Sequence, residues 1–344
     1  MCSGKRFASI QYIPFMTETG FPDCRLYIGS GDGIRVAHLG EETLTIEQTG
    51  IEGQNVRDIA VHPDDPNDVF VGCGLRGWGL HHSTDGGRSF DTLGFEDRWV
   101  WGVTRHPTDP RTLYVGTEPP MLYVSTDNGE TFDSIDTIEE VDSRDQWTFF
   151  HEPFYAGHIH GIDIHPERPQ RIVAGVEHGA LLISEDKGQT WRERLVGQDL
   201  HRVRSHPADP SQLFAATGAG LYHSEDGGKS WYSVESLRGR YLHSIVFDST
   251  RPQRLYVYAD RDGEPLYRSD DGGATWSQIG EGLPAARPAD NLRLHPTDAD
   301  TIFYAGDRSE RMSQLFVSTD AGGSWHEIGE PVEKVWRVAL APRK

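Results

Sequence analysis

The chain has 344 residues and a formal net charge of −20, from 33 basic and 53 acidic residues. So acidic a chain argues against nucleic acid or an anionic membrane as a partner, because phosphate binding requires a basic surface. Three cysteines are too few for a disulfide framework, and no apolar run approaches the roughly 18 residues that indicate a membrane span. We therefore expect a cytoplasmic protein, with secretion by means of a leader left open.

Residues 1–20 are interpreted as an extension, in which Phe7 to Phe15 would add an outer strand or cover one face. Three strand candidates follow, separated by turn residues as in a single antiparallel sheet. They are Leu26 to Gly29, Gly33 to Leu39 and Thr43 to Gln48.

A repeated unit occupies the rest of the chain. Short alternating apolar segments, most of them ending in a Pro-bearing turn, occur seven times. These segments are Val56 to Pro63, Val100 to Pro107, Ile159 to Pro166, Leu200 to Pro207, Leu242 to Ser249, Ala289 to Pro296 and Val335 to Pro342. Within a repeat, a second apolar strand follows, a third runs into a turn motif and a fourth leaves it, so each repeat predicts four strands.

The turn motif reads S-x-D-x-G-x-[ST]-[FW] and occurs six times at spacings of 40 to 59 residues. Its copies begin at Ser83, Ser125, Ser184, Ser224, Ser269 and Ser318. The Ser and Asp side chains can accept hydrogen bonds from backbone N–H groups inside a tight turn, and the Gly supplies the positive φ that such a turn needs. Strand-rich repeats of this period are typical of a propeller.

The pattern predicts an all-β protein, a single seven-bladed β-propeller over residues 1–344 with four-stranded antiparallel blades. The first blade lacks an innermost strand, which Val335 to Pro342 would supply in a 3+1 closure that hides two sheet edges. One long acidic loop, residues 133–157, separates blades three and four. It is either a lid or binding loop, or a decorative insertion.

Side chains at one position of the seven inner strands are all polar or aromatic. Aligned on the turn, they are Arg57, Trp101, His160, His201, His243, Asp290 and Trp336. Two positions later every residue is apolar: Ile59, Val103, Ile162, Val203, Ile245, Leu292 and Val338. The contrast predicts that the first ring forms a channel mouth and the second a packed layer.

Three consecutive blades contribute a histidine to this mouth, namely His160, His201 and His243. Converging imidazoles suit a divalent transition metal such as Zn, Mn, Fe or Cu, and an open coordination position would make the site catalytic. Four further residues nearby are candidates for acid–base roles: Glu177, His178, His158 and Tyr155. The alternatives are a metal-free site, or histidines that hydrogen-bond around water without chemistry.

Arginines on the same strands provide a second set of candidates. Arg57, Arg202 and Arg337 could hold an anionic group such as a uronic acid, with Asp290, Trp101 and Trp336 completing a substrate site. An equally weighted interpretation is that these arginines pair with aspartates of the inner strands and fill the channel. The aspartates are Asp58, Asp163 and Asp290.

The turn motif resembles the Asp-box (BNR) repeat of sialidase-like and sortilin-like propellers, over nearly the whole chain. The resemblance implies the fold and leaves the chemistry open. Sialidases need an Arg-Ile-Pro near the start, whereas this chain has Tyr12-Ile13-Pro14 and histidines at the mouth. Xyloglucan-hydrolysing members resemble two fused propellers, of which this chain could form one, and a propeller that assists photosystem II assembly is a non-catalytic relative.

Three functions are consistent with the sequence. The first is a metal-assisted hydrolase or lyase that acts on a small-molecule or saccharide substrate, polar and in one version anionic, at the channel mouth. The second is a non-catalytic binding or assembly scaffold that uses the aromatic rim and the 133–157 loop. The third is a metal-free enzyme in which His and Glu carry out acid–base chemistry.

Overall fold

The computed structural model describes residues 21, 23–40, 43–260, 265–286 and 290–342. The proposed extension at residues 1–20, with Phe7 to Phe15, lies outside the described residues. None of the helices in these ranges has the length and hydropathy needed to cross a membrane.

Seven sheets of four antiparallel strands make up the described chain. Blade 1 contains β1 (Cys24–Ser30), β2 (Gly33–Leu39), β3 (Leu44–Gly50) and β28 (Val335–Pro342). Blade 2 contains β4 (Val56–Val61), β5 (Val69–Cys73), β6 (Leu80–Ser83) and β7 (Asp91–Thr92). Blade 3 contains β8 (Trp99–His106), β9 (Asp109–Glu118), β10 (Leu122–Ser125) and β11 (Asp133–Ser134).

The remaining blades follow in chain order. Blade 4 contains β12 (His158–Asp163), β13 (Ile172–Glu177), β14 (Leu181–Ser184) and β15 (Arg192–Arg194). Blade 5 contains β16 (Leu200–His206), β17 (Asp209–Thr217), β18 (Gly220–Ser224) and β19 (Tyr232–Ser233). Blade 6 contains β20 (Leu242–Phe247), β21 (Leu255–Ala259), β22 (Leu266–Ser269) and β23 (Ser277–Ile279). Blade 7 contains β24 (Arg293–Leu294), β25 (Ile302–Asp307), β26 (Met312–Ser318) and β27 (His326–Glu333). Three short 3-10 helices span Asp136–Glu140, Arg144–Gln146 and Glu235–Leu237.

The ring closes as predicted, because β28 pairs antiparallel with β1 from Cys24 opposite Pro342 to Ser30 opposite Val335. The C-terminal strand is therefore the innermost strand of blade 1. The seven-bladed, four-stranded, 3+1 architecture is confirmed.

Blade 7 departs from the predicted pattern, since its inner strand is reduced to Arg293–Leu294. Just before it, Asp290 forms a parallel bridge with Arg337 of blade 1, and the Asp290 N–H donates to the Trp336 carbonyl (3.2 Å). This segment pairs with the neighbouring blade and not with its own sheet. The inner strand of blade 7 is therefore shorter than the alternating sequence predicted.

Apolar packing lies between blades. Seven clusters of buried side chains occupy the seven seams, each drawing residues from two adjacent blades. The predicted inner apolar ring is also confirmed, since less than about 5% of the surface of every member is exposed to solvent. Its members are Ile59, Val103, Ile162, Val203, Ile245, Leu292 and Val338.

The turn motif has the predicted local geometry. In the Ser224 copy, the Gly228 N–H donates to the Ser224 hydroxyl oxygen (2.9 Å), and that hydroxyl donates to Asp226 Oδ1 (2.9 Å). Asp226 also accepts from the Ser230 N–H (2.9 Å) and hydroxyl (2.6 Å), and these bonds hold the pKa of Asp226 below its usual range. Gly228 has φ +80°, as the turn requires. These turns fix the outer hairpins and leave chemistry to other residues.

Close approach between blades 3 and 4 leads to a first prediction. A Cβ on Gly116 would lie 2.4 Å from the Ile159 carbonyl oxygen, whereas a Cβ on Gly175, in the second strand of the next blade, would meet nothing closer than 3.6 Å. We expect Gly116→Ala to destabilise the protein by about 1–3 kcal/mol, the usual cost of overpacking, and Gly175→Ala to be tolerated. Urea unfolding of both variants checks this, and equal stabilities would contradict it.

Candidate functional site

The mouth residues share a backbone feature that alternation does not reveal. In six blades the inner strand shifts register at the same position, which leaves one extra, unpaired residue there. The extra residues are Arg57, Trp101, His160, His201, His243 and Trp336. Because a β-bulge bends the strand and redirects side chains, it allows bulky polar groups to leave the ladder and enter the channel.

A cavity of about 200 Å³ opens at this end of the channel. Six of the seven predicted mouth residues line it, together with Glu177 and loop residues. The lining comprises Arg57, Leu75, Trp101, Phe149, His151, His160, Glu177, His243, Asp290 and Trp336. His201 is buried behind this surface, with 2% of it exposed. The mouth is therefore largely as the ring alignment predicted.

Glu177 is the centre of a compact cluster in blade 4. It ends β13 opposite His158 of β12, and its Oε2 lies 2.9 Å from His158 Nε2 and 3.7 Å from His160 Nδ1. One ligand atom from each of these three residues lies within 4.8 Å of the other two. The bulge between Ile159 and Gly161 lets two histidines of one strand reach the same carboxylate.

A second carboxyl group, Glu118, lies on the other side of His158. Glu118 is fully buried, accepts a hydrogen bond from Trp101 Nε1 (2.9 Å), and has its Oε2 3.4 Å from His158 Nδ1. Burial raises the pKa of Glu118 to about 8. Burial also opposes ionisation of Glu177, but His158 and His160 outweigh it and hold the pKa of Glu177 well below its usual range. One imidazole therefore lies between a neutral carboxyl and a carboxylate.

Blades 5 and 6 each contain a separate histidine–carboxylate pair. His201 Nε2 lies 3.2 Å from Asp199 Oδ1, and His201 Nδ1 lies 2.6 Å from the Leu242 carbonyl. His243 Nε2 lies 3.3 Å from Asp260 Oδ2, and the two rings stack at 4.3 Å. Burial lowers the pKa of His243, whereas the carboxylates around His201 outweigh burial and raise its pKa. Both histidines already have partners in the protein.

The predicted metal trio of His160, His201 and His243 does not gather in this way. Within the described ranges, the groups with ligand atoms close enough to share an ion place His160 with His158 and Glu177. The physical reason is that His201 and His243 each face a different carboxylate, Asp199 and Asp260, at 3.2 and 3.3 Å. Both groups of potential ligands among the described residues include Glu177 of blade 4, either with His158 and His160 or with His178 and Asp199.

The remaining predicted acid–base residues lie at the rim. His178 Nε2 is 3.5 Å from Asp199 Oδ1, and His178 groups with Glu177 and Asp199. Its φ of +56° is uncommon outside glycine. Tyr155 is 53% exposed, its hydroxyl donates to Glu152 (2.7 Å), and it is not among the cavity-lining residues. The predicted catalytic position of Tyr155 is thus not supported by the geometry.

Below the mouth, a buried ion cluster occupies the channel. Asp290 pairs with Arg202, Arg337 and Arg293, and Arg337 Nε also contacts Asp58 at 2.7 Å. Burial opposes ionisation of Asp290, but the three arginines outweigh it and hold its pKa well below the usual range. Arg202 and Arg337 therefore pair with aspartates, as the channel-filling interpretation predicted. This geometry does not support their predicted role in substrate binding.

Arg57 behaves differently. Its guanidinium carbon lies 4.3 Å from the Trp101 ring centroid and 4.6 Å from that of Trp336, between two predicted substrate-binding tryptophans. Arg57 Nη1 is buried without a hydrogen-bond partner. All three residues line the cavity, and their role in substrate binding stays a prediction.

The 133–157 loop is partly structural and partly a rim. It includes β11 and two 3-10 helices, and Trp147 is buried in the seam between blades 3 and 4. Phe149 lines the cavity, Phe154 packs edge-on against two tryptophans of the rim, and Phe150 is 74% exposed. The loop therefore forms one wall of the cavity.

Sequence reasoning missed Asp199 and Tyr241, and it gave Glu118 no role beside His158. Asp199 precedes β16 and accepts from the Tyr241 hydroxyl (2.6 Å). Its spacing of two residues from His201 would place both on one side of a strand, which is a signal available in the sequence. The Glu118 contact depends on blade-to-blade packing and had no such signal.

Comparison with known proteins agrees with the fold. The Sortilin-Vps10 family model (sortilin, neurotensin receptor 3) matches residues 219–342. The Neosartorya fischeri protein named "Probable oligoxyloglucan-reducing end-specific xyloglucanase" is 23% identical over 298 residues, covering 70% of this chain and 36% of that protein. The chain thus spans about a third of that relative's length.

Two solved structures are also similar. The structure of YCF48 bound to D1 peptide has a TM-score of 0.56 and 16% identity, covering 80% of this chain and 81% of that chain. An ancestral GH74 enzyme has a TM-score of 0.59 and 17% identity, covering 84% of this chain and 38% of that chain. At such identities these likenesses establish the propeller fold alone.

Proposed function

We propose that this chain is a metal-assisted carbohydrate-active enzyme, a hydrolase or lyase, that cleaves a saccharide at the channel mouth. The observation that carries the proposal is the cluster of His158, His160 and Glu177 at a cavity lined by two tryptophans. Similarity to a protein named as a xyloglucanase supports a saccharide substrate and favours hydrolysis.

The donor set fits a divalent transition metal. Two imidazoles and one carboxylate are typical ligands for such ions. Ligating histidines usually donate their other ring N–H to a carboxylate, a backbone carbonyl or water, and Oε2 of the buried Glu118 carboxyl lies 3.4 Å from His158 Nδ1. His160 Nδ1 is buried without a hydrogen-bond partner. A cation held there would act as a Lewis acid on an oxygen of the saccharide.

The other mouth residues have roles that do not depend on the metal. Trp101 and Trp336 line the cavity and hold the Arg57 guanidinium between them by cation–π contacts, at the place where a sugar would bind. His160 and Glu177 face the cavity and can move a proton at the scissile bond. The same residues would serve in a metal-free enzyme, which the ionised state of Glu177 favours as the second candidate.

Metal analysis of the purified protein separates these candidates. We expect about one equivalent of Zn, Mn, Fe or Cu, and cleavage of xyloglucan or other oligosaccharides that stops on chelation and returns with the ion. His160→Gln should weaken metal binding by at least about tenfold. Loss of a residue that only supports a metal ligand already has an effect of about that size.

His38→Gln is the matched control, because His38 of blade 1 also forms a histidine–carboxylate pair, but at the surface. Its Nδ1 lies 3.4 Å from Asp23 Oδ1. It should retain metal and activity. Activity that survives chelation would favour the metal-free enzyme. No turnover of any saccharide, with no bound metal, would contradict the proposal and favour a scaffold.

A further inference from the structure

Among the described residues, Arg57 differs from its neighbours in the channel in that no carboxylate forms an ion pair with it. Arg202 and Arg337 are paired with Asp290 and Asp58, whereas Arg57 forms no ion pair with the residues that the structure describes and has a buried Nη1 without a hydrogen-bond partner. We propose that Arg57 binds a carboxylate of the substrate, so that the saccharide is a uronic-acid-containing one. This inference rests on the proposed function and names its substrate class.

The surroundings of Arg57 determine where a ligand can approach. Trp101 and Trp336 lie over the guanidinium at 4.3 and 4.6 Å, so the ring faces are occupied by cation–π contacts. A Cβ on Gly74 would lie 3.1 Å from Arg57 Cγ, so the aliphatic stem is closely packed as well. The N–H edge remains, and Arg57 lines the cavity. An arginine edge matches the two oxygens of a carboxylate.

The buried charge of Arg57 also favours binding of an anion. Burial lowers the pKa of Arg57 to about 10, and Glu177 and Glu118 oppose that shift, so the guanidinium stays charged at neutral pH. Burying a cation without a direct partner is costly. Among the described residues, Glu177 and Glu118 act on Arg57 at longer range, but neither forms an ion pair with it. A carboxylate of bound substrate can supply that direct pair.

A carboxylate fits better than the phosphate group of a modified sugar. Among the residues that line the cavity, Arg57 is the single arginine or lysine. One guanidinium neutralises one singly charged carboxylate, whereas a phosphate monoester carries a charge of about −1.5 to −2. A sulfate ester is singly charged as well, and the titration below distinguishes it from a carboxylate.

Calorimetric titration tests the inference with three acidic trisaccharides, those of galacturonate, glucuronate and mannuronate, and with their carboxyl-reduced counterparts. The reduced sugars keep ring and linkage and lose only the charge. We expect at least one acidic trisaccharide to bind about 30-fold or more tightly than its reduced form, the size associated with a desolvated ion pair. Its affinity should fall as NaCl is raised. The phosphate and sulfate alternatives are tested with glucose 6-phosphate and glucose 6-sulfate, which should bind no better than glucose.

Variants connect the preference to one residue. Arg57→Gln should abolish the preference for the acidic sugar, and Arg57→Lys should restore part of it, because Lys keeps the charge without the two-donor edge. Arg98→Gln is the control: Arg98 lies 5.5 Å from the Tyr123 ring centroid and pairs with Asp97, away from the cavity. Circular dichroism will show whether each variant is folded. If a variant fails to fold, the salt dependence of binding to the native protein still tests the inference.

The results of these titrations distinguish failure of the carboxylate site from failure of the proposed function. Equal binding of acidic and reduced sugars, or a preference that survives Arg57→Gln, overturns the carboxylate site, while turnover of neutral oligosaccharides would leave the proposed function standing. Preferred binding of the phosphate or sulfate ester overturns the choice of carboxylate. Absence of metal, of saccharide binding and of turnover together would overturn the proposed function and this inference with it.

Discussion

Replacing Glu177 with glutamine is expected to lower kcat on a cleaved saccharide by about 10²- to 10⁴-fold, the range for losing a positioned acid–base group. Glutamine keeps the shape of the side chain and removes the negative charge. In either version of the site that charge is needed, as a metal ligand beside His158 and His160 or as the base itself. The loss should appear in kcat rather than in the affinity for the saccharide.

Metal content distinguishes the two roles. If Glu177 is a ligand, Glu177→Gln should lose metal together with activity, whereas a base that works without metal would leave the metal content of the protein unchanged. Glu52→Gln is the control, because Glu52 is exposed and accepts a hydrogen bond from Thr49 (3.0 Å) at the surface. A Glu177→Gln variant with native kcat would show that the chemistry lies elsewhere.

The fold was predictable because its determinants are local and repeated. Each turn motif closes on its own Ser and Asp, as the bonds around Asp226 show, and the inner strands carry apolar residues at one fixed position. Counting repeats then determined the closure by Val335–Pro342. Errors arose where one blade interacts with the next, as at Asp290, whose segment joins β28.

The site was less predictable because it depends on contacts between distant residues. The ring alignment correctly located the cavity, but it treated His160, His201 and His243 as equivalent. Equivalent backbone positions do not give equivalent chemistry when His201 has Asp199 beside it. His160 instead shares Glu177 with His158, two positions away on a bulged strand. Bulges, second-layer carboxyls and arginine pairing all require the three-dimensional arrangement.

Asparagine at position 290 is expected to destabilise the protein by about 3–5 kcal/mol, as is typical when one member of a buried ion cluster is removed. Asp290 is 5% exposed and pairs with Arg202, Arg293 and Arg337. Without its charge, Arg202 and Arg293 lose their carboxylate partner in a buried channel, and Arg337 retains only Asp58. The cluster joins blades 5, 7 and 1 and, through Asp58, blade 2, so the loss should weaken the closure of the ring.

The pH dependence gives an independent measurement of the same effect. Because the pKa of Asp290 lies well below the ordinary 3.8, its stabilisation is fully present at neutral pH and is lost as the pH falls below 3.8, where the unfolded chain takes up a proton that the folded chain does not. Urea unfolding from pH 7 down to pH 3 should therefore show the difference between native protein and Asp290→Asn shrinking at low pH.

Asp270→Asn is the matched control for this prediction, since Asp270 also contacts two arginines, Arg254 and Arg268, but is about half exposed. Exposed ion pairs are screened by solvent, so we expect a change within about 1 kcal/mol. If both variants lost the same stability, burial of the cluster would not be the cause. A stable Asp290→Asn protein with a closed ring would show that packing between blades suffices without the buried charges.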